Sequence, residues 1–154
     1  MVYIHYGASQ YDPNKFKPII NKPFFVKPEG GLWASPLDAK FCWKEWCVSN
    51  DFQLEGLKNS FHFTLTENAN ILILSSADQL RGLPEAKQAY NISIPAWVCL
   101  DFEKLAADGV DAIQVDISGD ESVECMEGLC WKLYGWDCDS ILILNKEIII
   151  PCQQ

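Results

Sequence analysis

Between Tyr11 and Glu29 the chain carries Asp12-Pro13-Asn14, Lys17-Pro18, Lys22-Pro23 and Lys27-Pro28. Proline has no amide hydrogen and a fixed φ, so four of them in this span forbid a long helix and dictate an extended loop. The loop is locally basic in an acidic chain, and a loop this long in a small domain is more often functional than idle. The alternative is a surface wrap anchored by Phe16, Phe24 and Phe25. Before it, Val2 to Tyr6 is a short β-rich run ended by Gly7-Ala8-Ser9, which predicts a first strand leaving into a turn.

Directly after the loop, Gly30 to Cys47 packs three of the six tryptophans into eighteen residues behind a glycine pair. Glycines permit a sharp turn or the close approach of backbone to a ligand. Leu32 to Ser35 reads as a short strand, closed by Pro36 before a helix starting near Asp38. Trp33 on the strand and Trp43 one or two turns into the helix would then face each other across a narrow gap. Facing indoles make a slot for a flat ring, a cationic one included. The competing reading is that all three tryptophans are core. Of the three, Trp46 is the expected core residue, and Trp33 and Trp43 the expected ring contacts.

With 154 residues and 49% hydrophobic content, residues 1–154 fit a single domain with a sizeable core. A formal charge of -9 argues against direct non-specific nucleic-acid binding, and an acidic chain suits a basic partner surface instead. The seven cysteines meet neither a basic-then-apolar leader nor an apolar run long enough to span a bilayer. A cytoplasmic protein with reduced thiols and no membrane association is therefore expected. Cys42-x4-Cys47 and Cys125-x4-Cys130 lack zinc-knuckle spacing, and His5 and His62 are the only histidines, so no metal site is expected.

Further along, Phe61 to Thr66 alternates as a half-buried strand with His62 facing away from the phenylalanines. Ile71 to Leu74 reads as a strand buried on both faces. Ser75 or Ser76 caps a short helix over Ala77 to Arg81, stopped by Gly82 and Pro84. Asp101 to Gly109 predicts a two-turn helix, and Val110 to Ile117 a strand. Ser118 to Trp136, acidic and then rich in aromatics and cysteine, suggests a short helix crossing the end of a sheet. Asp137 and Asp139 precede an apolar strand, Ile141 to Leu144, which turns at Asn145-Lys146. Carboxylates at a strand mouth stay at the rim while the strand fixes the backbone, although a solvated turn explains them as well.

The order of His5-Tyr6-Gly7 on a first strand, Gly31-Leu32-Trp33-Ala34-Ser35 running towards Trp43, Gly109-Val110-Asp111-Ala112-Ile113, and Asp139-Ser140-Ile141-Leu142-Ile143-Leu144-Asn145 resembles the ADP-ribosyltransferase fold family of the diphtheria-toxin and poly-ADP-ribose-polymerase type. More loosely, it resembles small phage-encoded anti-defence members of that class. The resemblance implies an α+β fold with a split, mostly antiparallel β-sheet core and a few short flanking helices. It implies NAD as substrate, with ADP-ribose passed to a host protein or nucleic-acid target and nicotinamide released. Trp33 and Trp43 would sandwich the nicotinamide, the Gly7 backbone would bond its carboxamide, and Ser35 would support the carboxamide or ribose. His5 or Tyr6 would fill the first-strand role. Asp139, with Asp137 and Asp116 as competitors, would stabilise the positive charge growing on the ribose. The acceptor would be a protein of a host or defence system, met in the host cytoplasm.

Two other functions compete. One is a non-catalytic acidic interaction or inhibitor protein on the same scaffold. The other is a cysteine hydrolase using Cys47 and His5, weakened because Cys47 falls at the negative end of a helix dipole and has no glycine-flanked nucleophile turn.

Overall fold

The computed structural model describes residues 1–22, 27–86, 99–116 and 136–153. The strands are β1 (Tyr3–Tyr6), β2 (Leu32–Pro36), β3 (Ser60–Leu65), β4 (Ile71–Leu74), β5 (Glu85–Ala86), β6 (Cys99–Leu100), β7 (Ala112–Val115), β8 (Ser140–Ile143) and β9 (Ile149–Pro151). Two α-helices accompany them among the described residues, α1 (Trp43–Ser49) and α2 (Phe102–Ala107). Seven strands form one sheet in the order β4-β7-β8-β2-β1-β3-β9, while β5 and β6 pair separately. The β4–β7 pair is parallel and every other pair in the large sheet is antiparallel, so the class is α+β with a mostly antiparallel, mixed sheet.

Strand alternation divides the core into two layers. Ile113, Val115, Leu142 and Leu144 pack on one face with Leu74, Leu100, Phe102, Leu105 and Trp136, while Ala112, Ile141 and Ile143 pack on the other with Tyr3, Phe61, Phe63 and Ile149. Central strands β7 and β8 are therefore buried on both faces. The lone polar side chain inside β7, Gln114, is satisfied by the Tyr3 hydroxyl, which donates to its Oε1 at 2.9 Å. At the far end of these strands Asp111 closes a corner. Its carboxylate accepts from the Asn70 amide (2.9 Å) and from Asn145 Nδ2 (2.8 Å), and its carbonyl accepts from the Leu144 amide.

Strand β2 changes partner part-way along. Leu32, Trp33 and Ala34 pair with Ile143, Leu142 and Ile141 of β8, but only Ser35 and Pro36 pair with Ile4 and Tyr3 of β1. Beyond Ile4 the edges of β1 and β2 separate.

Several expectations change. Ile71 to Leu74 lies at the sheet edge rather than in its middle, which leaves Ile73 50% exposed. The helix after Pro36 begins at Trp43, not near Asp38, because the Glu45 carboxylate reaches back to the Cys42 amide (3.1 Å) and thiol (2.6 Å) and caps it there. The segment behind Ser76 is a 3-10 turn over Ala77–Leu80, held by Gln79. Asp101 caps α2 as the sequence implies, and His62 is exposed opposite buried Phe61 and Phe63. The proline-rich loop is folded back on itself: Ile20 and Glu29 form a two-way bridge, and Asn21 binds Asp101, Glu103 and the Phe102 amide at the start of α2. Phe24, Phe25 and the proposed helix within Ser118 to Trp136 lie outside the described residues, apart from Trp136 itself. No helix among the described residues is long and apolar enough to cross a membrane.

The glycine pair meets protein rather than ligand. A Cβ on Gly30 (φ +84°) would lie 2.1 Å from the Pro18 carbonyl oxygen, and one on Gly31 (φ +66°) 2.6 Å from that of Ile143. Gly30→Ala and Gly31→Ala each combine a left-handed backbone with a backbone clash, and each should cost about 2 kcal/mol or more in urea unfolding. Gly82→Ala is the control: its φ is +79° but nothing lies within 4 Å, so the strain alone costs about 1–2 kcal/mol.

Candidate functional site

The gap between β1 and β2 opens into a cavity of about 320 Å³. Among the described residues its walls are Ile4, His5 and Tyr6 of β1, Trp33, Ala34 and Ser35 of β2, Trp43 of α1, and Lys27, Gln53, Asp137, Cys138 and Ser140. Three consecutive residues from each strand border it, so backbone as well as side chains line the cavity. The cavity therefore meets the strand edges, and His5 and Tyr6 both reach it instead of excluding one another.

His5 spans the gap. Its Nδ1 donates to the Trp33 carbonyl at 2.6 Å, so in the neutral ring Nε2 is the acceptor. Its imidazole packs on Phe61 with ring centres 5.0 Å apart, and burial lowers its pKa below the ordinary 6.5, against a smaller opposing effect of the Trp33 bond. Ser35 Oγ accepts from the Trp43 amide at 3.2 Å, which ties the strand end to the helix start and leaves the hydroxyl hydrogen to donate elsewhere.

The two indoles are held by different neighbours. Trp33 sits edge-on to Trp136, with centroids 4.6 Å apart, above the sheet core. Trp43 stacks on Trp46 at 5.1 Å with 12° between planes, and both touch Phe52. Trp46 is thus a half-exposed backing for Trp43, not the core residue expected. Between the indoles lies a cation: Lys27 Nζ is 5.2 Å from the Trp33 ring centre and 5.9 Å from that of Trp43. The same ammonium pairs with Asp137 at 3.9 Å.

The remaining expected residues stand elsewhere. Asp139 is 3% exposed, its amide donates to the Phe41 carbonyl, and it does not line the cavity. Cys138 and Ser140 do, and a residue between two such neighbours on a chain entering a strand points away. Asp137 lies before that alternation begins and supplies the carboxylate at the wall. The Gly7 amide, expected to bond a carboxamide, donates to the Asn59 carbonyl at 2.9 Å, and Gly7 does not border the cavity. Asp116 is exposed just beyond the end of β7 and does not border the cavity. Cys47 is fully buried and its pKa is raised by burial, which removes the hydrolase reading.

Sequence reasoning missed Lys27, Gln53 and Cys138. Lys27 carried a signal, being one of four cations in a loop that leads straight into Gly30 to Trp33. Gln53 carried none: its left-handed backbone (φ 45°), close to Asp51 at φ 49°, follows from the turn after α1. Burial pushes the Cys138 thiol up to about 12, so it is a neutral wall. Among the described residues no cluster of three or more His, Cys, Asp or Glu is placed to hold a metal ion. No protein-family model, curated protein or solved structure matches the chain.

Because His5 is held neutral, its contribution to stability is complete above pH 6.5 and is lost as pH falls from there through its lowered folded-state value. Urea midpoints for wild type and His5→Gln between pH 5 and 7.5 should converge as pH falls. A constant difference across that range would show that His5 does not titrate with unfolding.

Proposed function

We propose that the cavity is the nicotinamide end of an NAD site and that the protein is an ADP-ribosyltransferase. The observation that carries this reading is the meeting of His5, Tyr6, Trp33, Ser35, Trp43 and a carboxylate around one cavity at the parting of β1 and β2. The resemblance in motif order supports it independently of that geometry. The expected split core is one seven-stranded, mostly antiparallel sheet instead, so the α+β fold does not itself support this class and the site residues carry the reading.

In this reading the nicotinamide ring enters between Trp33 and Trp43, and the Ser35 hydroxyl donates to the carboxamide or the ribose. The bond from ribose C1′ to the ring nitrogen breaks with both electrons going to nicotinamide, which leaves neutral. The positive charge left on the ribose is met by the Asp137 carboxylate, which takes over the part expected of Asp139. A nucleophile of a macromolecular acceptor then bonds to C1′ and gives its proton to solvent. A fixed carboxylate in a partly dried site lowers such a barrier by about 3 kcal/mol. By the resemblance, the acceptor belongs to a host or defence system and is reached in the cytoplasm.

A second reading, a non-catalytic acidic interaction protein, is favoured by one observation: the chain's own Lys27 already occupies the space between the indoles. It predicts no NAD affinity, and salt-sensitive capture of a basic partner that Trp33→Ala leaves intact.

Titration with NAD, followed by tryptophan fluorescence and nicotinamide release, separates the two. Trp33→Ala should weaken NAD binding about tenfold or more, and Asp137→Asn should slow release at saturating NAD about 100-fold. Asp139→Asn should alter stability rather than release. Wild-type protein that shows no saturable response to millimolar NAD would leave the interaction reading standing.

A further inference from the structure

We infer that Lys27 is a resident internal ligand of the indole slot, and that it sets the slot's preference between cationic and neutral rings. The inference deepens the nucleotide-site reading but rests on separate contacts. One ammonium lies within 6 Å of two indole centroids from different elements and against a carboxylate from a third. Each of these contacts favours positive charge, and together they make the slot a cation site before any ligand arrives.

Lys27 is delivered there by the folded proline loop. The Ile20–Glu29 bridge closes the loop behind it, the Gly31 amide donates to the Lys17 carbonyl at 2.9 Å, and Gly30 lies against Pro18. The ammonium itself stays within reach of water: the Lys27 side chain is 41% exposed and that of Asp137 is 38% exposed. A lysine with this much water around it exchanges the slot for solvent at modest cost, because hydration replaces what the rings and carboxylate gave.

The consequence is competition by charge. A ring bearing a positive charge and the Lys27 ammonium cannot both take the space between Trp33 and Trp43, since like charges at that separation repel. Binding a cationic ring therefore requires Lys27 to leave, and Asp137 then neutralises the newcomer. A neutral ring must take the same space, but it meets no charge repulsion from the displaced ammonium and gains nothing from the carboxylate that Lys27 leaves. Removing the charge of Lys27 while keeping its length should favour the cationic ring selectively. Lys27→Arg, which keeps the charge, should not.

Two small probes differ in little beyond charge: 1-methylnicotinamide, a cation, and nicotinamide, which is neutral. Their dissociation constants are measured by tryptophan fluorescence on wild type, Lys27→Met and Lys27→Arg, with thermal melting to verify that each variant folds. Lys27→Met should tighten 1-methylnicotinamide about tenfold relative to nicotinamide, and Lys27→Arg should leave the ratio near the wild-type value. Equal changes for both probes in Lys27→Met, or absence of binding by the cation to that variant, would overturn the inference. The NAD reading fails on a different result, the lack of NAD binding and nicotinamide release in wild type, so the two are told apart.

Discussion

Strand β2 has β8 on one edge and β1 on the other, and its two ladders do not overlap along its length. Its first three residues are taken by β8 and its last two by β1, and the place where those commitments change is the place where the cavity forms. A regular sheet would bury the backbone edges of His5, Tyr6, Trp33 and Ala34 in a ladder. Here the edges part, and the His5 imidazole carries a side-chain bond across the opening. Unpaired strand edges facing a small cavity are a supply of backbone donors and acceptors, which is what a polar ligand with a flat ring requires.

The parting is held open by packing at a distance. Gly30 and Gly31 seat the start of β2 between the backbone of the proline loop and the end of β8, with no room for a side chain on either glycine. Asn21 clamps the same loop to the first turn of α2, satisfying the Phe102 amide as it does so. On the other side of the sheet axis, Asp111 joins the ends of β4, β7 and β8 through both side-chain and main-chain bonds. These polar ties lie away from the cavity, while the apolar interiors of β7 and β8 fill both core layers. The junction of β1 and β2 lies between the half-sheet tied at Asp111 and the loop clamped by Asn21.

What was legible in the residues follows from how locally each feature is determined. Short apolar runs bounded by turn residues marked β1, β2, β3, β7 and β8, because alternation and turn chemistry act over a few residues. The crowding of Trp33 and Trp43 near a glycine pair marked two residues of a cavity wall for the same reason. Whether Ile71 to Leu74 is central or at an edge is decided by partners dozens of residues away, and the run itself is the same in both cases. That Asp137 and not Asp139 borders the cavity has a similar origin. The two acids have the same side chain and almost the same neighbours, and only the point at which strand alternation begins, between Asp137 and Cys138, separates a buried acid from one at the wall. Of the two roles the glycines allowed, a sharp turn or a ligand approach, the sequence left the choice open because the chain that presses on them, Pro18 and Ile143, comes from elsewhere in the sequence.

The electrostatic state of the cavity follows from those placements. Burial keeps His5 neutral, pushes the Cys138 thiol to about 12, and raises the Tyr6 hydroxyl further above its ordinary range with help from nearby Cys42 and Glu45. The charges left at the wall among the described residues are Lys27 and Asp137, one of each sign and in contact. Such a cavity is neutral overall yet polarised, so any guest that takes the space between the indoles must break the pair, and a cationic guest replaces the ammonium beside Asp137. In a chain whose formal charge is -9, the displaced member that the surface can readily accommodate is the ammonium. The same pair that fills the slot in the free protein therefore biases it towards positive charge when it opens.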